Sequence, residues 1–234
     1  MFNFRTKVRY SEIGIDGKTT VSSIVNYFQD CSTFQSESIG QGISKLMQRN
    51  RGWLLTSWQI DIRRPLELGE NIRIGTWAHS FKGLYGARNF IIYDELEEVV
   101  AVANTLWALV DTQTGHPTKI TEDDSAGYEL EEPFDMVYLP RKIKVPIDSK
   151  VIDQFVVRRS HLDTNNHVNN GQYIEMAEEY LPENTCVKQM RAEYKKSALY
   201  QDIVVSKLSI EENRYVIELC DQEDNVYAVV EFKI

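Results

Sequence analysis

Between Trp53 and Asp111 the sequence alternates with a period of two over four stretches, Trp53 to Arg64, Asn71 to Phe81, Ala87 to Asp94 and Val99 to Asp111, all rich in aromatic and β-branched residues. Period two sends successive side chains to opposite faces, so each stretch reads as a long strand. The connections Leu68-Gly69-Glu70, Lys82-Gly83-Leu84-Tyr85-Gly86 and Glu95-Leu96-Glu97-Glu98 are short enough for hairpins, which makes the neighbours antiparallel. Val100 to Val110 is almost continuously apolar, as expected of a strand covered on both faces. Trp58, Trp77 and Trp107 are then core residues, and His79 is a structural histidine.

A helix precedes these strands. Phe4 to Tyr10 reads as a strand and Gly14-Ile15-Asp16-Gly17 as a turn, after which Thr19 or Thr20 can cap a helix. Val21, Ile24, Val25, Phe28, Cys31 and Phe34 form one apolar stripe on it, which puts Cys31 in the core. Gly40 and Gly42 end it, and Ile43 to Arg49 adds a short helical turn. Thr112 to Pro117 is a turn containing His116. Thr121 to Pro146 has no clear periodicity and carries three of the six prolines, so it reads as an ordered connector.

The second half repeats the order of the first: a strand (Gln154 to Arg159), a turn, a helix (Val168 to Leu181, stopped by Pro182) and four strands at Val187 to Lys196, Ile203 to Ile210, Tyr215 to Cys220 and Val226 to Ile234. Val8-Arg9-Tyr10-Ser11-Glu12-Ile13-Gly14 runs in phase with Val157-Arg158-Arg159-Ser160-His161-Leu162-Asp163. Two copies of one α+β unit are expected, at residues 1–118 and 149–234, joined by 119–148.

The copies differ in chemistry. Asp163, Asn165 and His167 stand where the first copy has Gly14, Asp16 and Lys18. Spaced two apart in an extended or turning backbone, a carboxylate, an amide and an imidazole would point the same way and could together activate a water, because imidazole titrates near neutrality. Backbone N–H groups near Val168 to Asn170, where the next helix begins, could face an oxygen that becomes negative. The same run also has the composition of an ordinary capped turn. His161 alternates with Leu162 and reads as a solvated strand-end side chain.

The remaining bounds are set by composition. A net charge of −9 argues against general nucleic-acid affinity. Three widely spaced cysteines, Cys31, Cys186 and Cys220, give neither a disulfide framework nor a zinc motif, which fits a reducing cytoplasm. Met1 to Val8 enters a strand pattern with no signal-peptide core, and no apolar run approaches the roughly 20 residues of a membrane span.

The chain resembles the acyl-[acyl carrier protein] thioesterases of plants and bacteria over nearly its whole length. In the first half the likeness rests on Tyr10-Ser11-Glu12-Ile13-Gly14, Arg49-Asn50-Arg51-Gly52-Trp53, Thr76-Trp77, Gly86-Ala87-Arg88 with Asp94, and Trp107-Ala108-Leu109-Val110-Asp111; in the second, on Asp163-Thr164-Asn165-Asn166-His167-Val168-Asn169-Asn170 with Tyr173-Ile174, and on Glu193-Tyr194-Lys195-Lys196. The resemblance implies a tandem (double) hotdog: two antiparallel sheets, each wrapped around a long central helix. It implies hydrolysis of fatty acyl thioesters of acyl carrier protein, no cofactor, and Asp163, Asn165 and His167 as the catalytic residues. The first copy would supply acyl-chain volume. One departure is visible, because the family often has an acidic residue, sometimes followed by Cys, where Ser197 and Ala198 stand here. A carrier protein would need a basic docking face, for which Arg158, Arg159, Lys195 and Lys196 are the candidates. The protein is expected to be a monomer or homodimer. Rival readings are an acyl-coenzyme A thioesterase and a non-hydrolytic acyl-binding protein.

Overall fold

Each alternating stretch is a strand in the computed structural model, which describes residues 1–234. The chain divides into two units, Met1–Leu139 and Pro140–Ile234. The first contains β1 (Phe2–Lys7), a 3-10 turn at Tyr10–Glu12, α1 (Val21–Ser38), α2 (Ile43–Gln48), β2 (Arg51–Ile62), β3 (Asn71–Lys82), β4 (Tyr85–Tyr93), β5 (Val99–Asp111) and α3 (Glu122–Ser125). Its strands lie in the order β1-β3-β4-β5-β2, every pair antiparallel.

Thr20 starts α1, its Oγ1 accepting the N–H of Ser23 at 3.1 Å. The apolar stripe then packs α1 against β3 and β1. Phe28 lies 6.0 Å from Trp58 and 5.1 Å from Phe90, ring centre to ring centre, and all three are buried. Cys31 is buried with its thiol 3.6 Å from the carbonyl of Ile74, while Phe34 reaches the edge of the stripe and meets the ring of Phe4.

The apolar run in β5 is covered on both faces over Val100 to Ala103. The second cover comes from the aperiodic connector: Phe134 and Met136 pack on Trp77, Ile91 and Val102. Side chains far away in sequence hold it there. Gln59 donates to the Val137 carbonyl and accepts from Leu139 N–H, Asn89 accepts from Phe134 N–H, and the Trp77 indole donates to the Glu132 carbonyl. Trp58 and Trp77 are core residues as expected, whereas Trp107 is only half-buried, its indole N–H bonded to Thr105. His79 bonds Asn104 on the neighbouring part of the sheet, in keeping with a structural role.

The second unit contains β6 (Lys150–Val156), a 3-10 turn at Arg159–His161, α4 (Asn170–Glu178), β7 (Gln189–Tyr194), β8 (Ile203–Glu211), β9 (Arg214–Cys220) and β10 (Val226–Lys233). The strand order is β6-β8-β9-β10-β7, so element for element the connectivity repeats that of the first unit. The helices differ: α1 has 18 residues and α4 only nine. A helix from Val168 to Leu181 is not formed, because Asn169 caps it late through Gly171 N–H and Val168 is held in a bridge to Leu162. At the other end Tyr180 leaves the helix to bond Asp153 and Ser206, two residues before Pro182.

Residues 140–145 are strapped onto the second unit. Arg191 and Arg214 both pair with the buried Glu231, and both donate to carbonyls of the strap, at Pro140, Lys142 and Lys144. Glu193 accepts Ile143 N–H at 3.0 Å, and Ile143 packs on Val216 and Val229.

Candidate active site

The Asp163–His167 segment is a closed turn. Asp163 N–H donates to the His167 carbonyl at 2.8 Å and Asn166 N–H to the Asp163 carbonyl at 3.1 Å. Asn166 takes a left-handed backbone, φ 59°, which asparagine tolerates better than most residues. Around the turn, Leu162 bridges Val168 and His167 bridges Leu199. Val168 N–H bonds the Ala198 carbonyl and Asn169 N–H the His161 carbonyl.

The three expected residues therefore share one turn, but their side chains behave differently. Asp163 points into the loop, its Oδ1 accepting Asn165 N–H at 2.8 Å and His167 N–H at 3.3 Å. Asn165 and His167 are exposed. Of the backbone donors expected between Val168 and Asn170, two are already used within the protein, which leaves only Asn170 N–H without an acceptor. Tyr194 fixes that position by donating to the Asn170 carbonyl at 2.9 Å.

The first unit contains the same turn without the chemistry. Gly14 N–H bonds the Lys18 carbonyl, Gly17 N–H bonds the Gly14 carbonyl, Ile13 bridges Thr19 and Lys18 bridges Glu67. Gly17, φ 77°, holds the left-handed place of Asn166. Even the preceding 3-10 turn is closed alike: Glu12 accepts Arg9 N–H at 2.7 Å, and His161 Nδ1 accepts Arg158 N–H at 3.1 Å. His161 is thus more than a solvated strand-end side chain. The bond requires an unprotonated Nδ1, and burial first, then the charge of Arg158, hold the imidazole below its ordinary range against the opposing pull of Glu175. The signal in the sequence was its register with Glu12.

Ser197 stands where the family often has the acidic residue, and Ala198 beside it is buried, its backbone serving the loop, the carbonyl toward Val168 and the N–H toward the hydroxyl of Tyr173. Glu193 does not stand in for that acid, since its carboxylate holds the strap. Tyr173 reads from the sequence as a residue of the apolar helix face, and nothing in the helical period distinguishes a tyrosine that fills the core from one whose hydroxyl serves a remote amide. Of the basic candidates, Lys196 is paired with Asp221 and lies over Tyr227, and Arg159 lies over Tyr200. The cysteines lie elsewhere: burial pushes the Cys31 thiol up to about 12 and the Cys220 thiol to about 11, and Cys186 is exposed.

Comparison with known proteins gives this architecture its relatives. Residues 1–128 match the model of the acyl-ACP thioesterase N-terminal domain, and residues 144–232 match that of the C-terminal domain. The chain belongs to the acyl-ACP thioesterase family. An acyl-[acyl-carrier-protein] hydrolase of Cuphea viscosissima, named as chloroplastic, is 27% identical over a match covering 71% of this chain and 43% of its own. An oleoyl-acyl carrier protein thioesterase of Coriandrum sativum is 24% identical, with 96% and 67% covered. The match thus spans between 43% and 67% of the length of such acyl-ACP thioesterase relatives. Among solved structures, an acyl-ACP thioesterase from Bacteroides thetaiotaomicron superposes with a TM-score of 0.89 at 21% identity, covering 99% of this chain and 96% of its own. The 12:0-ACP thioesterase of Umbellularia californica gives 0.84 at 18% identity, covering 100% and 97%. These two establish that the chain has the fold of the acyl-ACP thioesterases. No helix is long and apolar enough to cross a membrane.

Proposed function

We propose that the chain hydrolyses fatty acyl thioesters of acyl carrier protein to free fatty acid and carrier-protein thiol, the step that ends chain elongation. Family membership supplies the reaction class, and the observation that carries the assignment within this chain is the turn that presents Asn165 and His167 to solvent while Asp163 fastens its backbone. In this reading each copy, residues 1–118 and 149–234 with 119–148 between them, is one hotdog with its helix at the centre. The first provides acyl-chain volume beside its Phe28, Trp58 and Phe90 core, and the second provides the chemistry.

His167 takes a proton from water as the water oxygen bonds to the thioester carbonyl carbon. The carbon–sulfur bond then breaks, and the proton returns from His167 to the departing sulfur. Asn165 holds the carbonyl oxygen or the water, and Asn170 N–H is available to the oxygen that becomes negative. Water is the only co-reactant, so no cofactor is required. Arg158 and Lys195, with Arg159 and Lys196 beside them, form the docking face for an acidic carrier protein. A reducing cytoplasm suits the three free thiols, and the protein acts as a monomer or homodimer.

The test is release of free thiol from one acyl chain carried on acyl carrier protein and on coenzyme A, with His167→Ala as control. Faster hydrolysis of the carrier-protein thioester, lost in the variant, is the expected result; equal or faster hydrolysis of the coenzyme A thioester rejects the carrier assignment, and no thiol from either over several chain lengths rejects hydrolysis. Asn165→Ala should lower turnover roughly a hundredfold, as loss of a single transition-state donor costs about 3 kcal/mol. A near-normal rate in the folded Asn165→Ala protein would remove Asn165 from the mechanism.

A further inference from the structure

One backbone amide is satisfied differently in the two equivalent turns. In the first unit Thr19 and Leu66 clasp each other: Thr19 N–H donates to the Leu66 carbonyl at 2.9 Å, and Leu66 N–H returns a bond to Thr19 Oγ1 at 3.2 Å. In the second unit Val168 occupies the place of Thr19 and Ala198 that of Leu66. Val168 N–H still donates to the Ala198 carbonyl, at 3.0 Å, but valine has no hydroxyl to complete the clasp. The missing acceptor comes from the helix. Tyr173, on the first turns of α4 and only 2% exposed, accepts Ala198 N–H at its hydroxyl oxygen at 2.8 Å.

Ala198 is fully buried, so its amide has no water to turn to, and an orphaned buried N–H is costly. The segment it anchors is also the rail along which the His167 backbone lies, since Leu199 bridges His167 and the Ala198 carbonyl holds Val168. The rail has no acidic or cysteine side chain of its own at Ser197 or Ala198. Buried packing of Ala198 and two side-chain acceptors hold it, Tyr173 for Ala198 N–H and Asp202 Oδ2 for Leu199 N–H at 2.9 Å.

Resting on the hydrolytic reading above, we propose that Tyr173 is a positioning residue for the reaction: through Ala198 it fixes the rail that aims the His167 imidazole, and it does so in place of the threonine hydroxyl that closes the same clasp in the first unit. Tyr173 is buried and acts through Ala198 rather than on the reacting atoms. Tyr173→Phe keeps the ring and removes only the acceptor, so binding of the thioester is preserved while His167 loses its register.

The internal repeat supplies the rescue. Val168→Thr puts a hydroxyl where Thr19 carries one, on a side chain of nearly the same shape as valine, and should accept Ala198 N–H without the tyrosine. Steady-state thiol release is measured for wild type, Tyr173→Phe and the double variant Val168→Thr/Tyr173→Phe, with folding followed by circular dichroism and His167→Ala as the reference for lost catalysis. Expected are a kcat lowered roughly tenfold in Tyr173→Phe with KM within about twofold of wild type, and a kcat restored most of the way in the double variant. Wild-type kcat in Tyr173→Phe overturns the proposal, as does a loss confined to KM. Should Tyr173→Phe fail to fold, the double variant decides alone: near-wild-type turnover supports the clasp, and a double variant that does not fold or does not turn over overturns it. Absence of thiol release by the wild-type protein strikes the hydrolytic reading itself, and its survival in His167→Ala strikes the catalytic role of His167; both are distinguishable from the results above.

Discussion

At the scale of single residues, Asp163 is the informative case. Its Oδ1 accepts two backbone N–H groups of its own turn, an arrangement that a carboxamide oxygen can reproduce and a methyl group cannot. If the carboxylate acts chiefly by holding the turn, Asp163→Asn should keep turnover within about tenfold of wild type and Asp163→Ala should lose roughly a hundredfold. Equal losses in both variants would show that the negative charge itself takes part. His161 gives a pH dependence of definite sign. Its folded-state value lies below the ordinary 6.5, so the stability it contributes is complete above 6.5 and is lost as pH falls through the depressed value, where protonated Nδ1 can no longer accept Arg158 N–H. An NMR titration of the imidazole should give a midpoint below 6.5; a midpoint above it would contradict the bond.

At the scale of elements, the strands were legible because period two is a local property. β3, β5 and β8 begin at the residues their alternation marks, Asn71, Val99 and Ile203. The first helix was legible at its cap. Thr20 receives Ser23 N–H at 3.1 Å, and Thr20→Ala should therefore cost about 1 kcal/mol, read as a lower urea midpoint with an unchanged slope. An unshifted midpoint would mean that the neighbouring hydroxyls of Ser22 and Ser23, both within reach of Thr20, supply the cap instead. α4 is shorter than its apolar period, which continues past Glu178, because the local Asn169 cap on Gly171 N–H starts it at Asn170 and the remote partners Asp153 and Ser206 hold Tyr180 beyond its end. Where the connector packs is not written in its own residues, for a related reason. Its bonds come from Gln59, Trp77 and Asn89, residues whose sequence neighbours describe strands.

At the scale of the whole molecule, the net charge of −9 makes a local basic face necessary for any acidic partner. Lys196 is already neutralised by Asp221 and Arg159 is seated on Tyr200, so charge reversal at Arg158 and Lys195 should have the larger effect. KM for carrier-protein thioesters should rise and become less sensitive to salt, while the coenzyme A thioester of the same chain responds less. No change in KM or its salt dependence would move the docking face elsewhere.

The antiparallel strands, the repeated order of elements and the candidate-site turn are legible in the sequence, because periodicity, caps and turn chemistry act between near neighbours and are written in adjacent letters. Which partners the side chains meet was decided in the folded chain. Asp163 turns inward and His161 closes a turn as Glu12 does through bonds to near neighbours, whereas Glu193 meets Ile143 N–H and Tyr173 meets Ala198 N–H because a buried donor must find an acceptor, and only the folded chain brings these within about 3 Å.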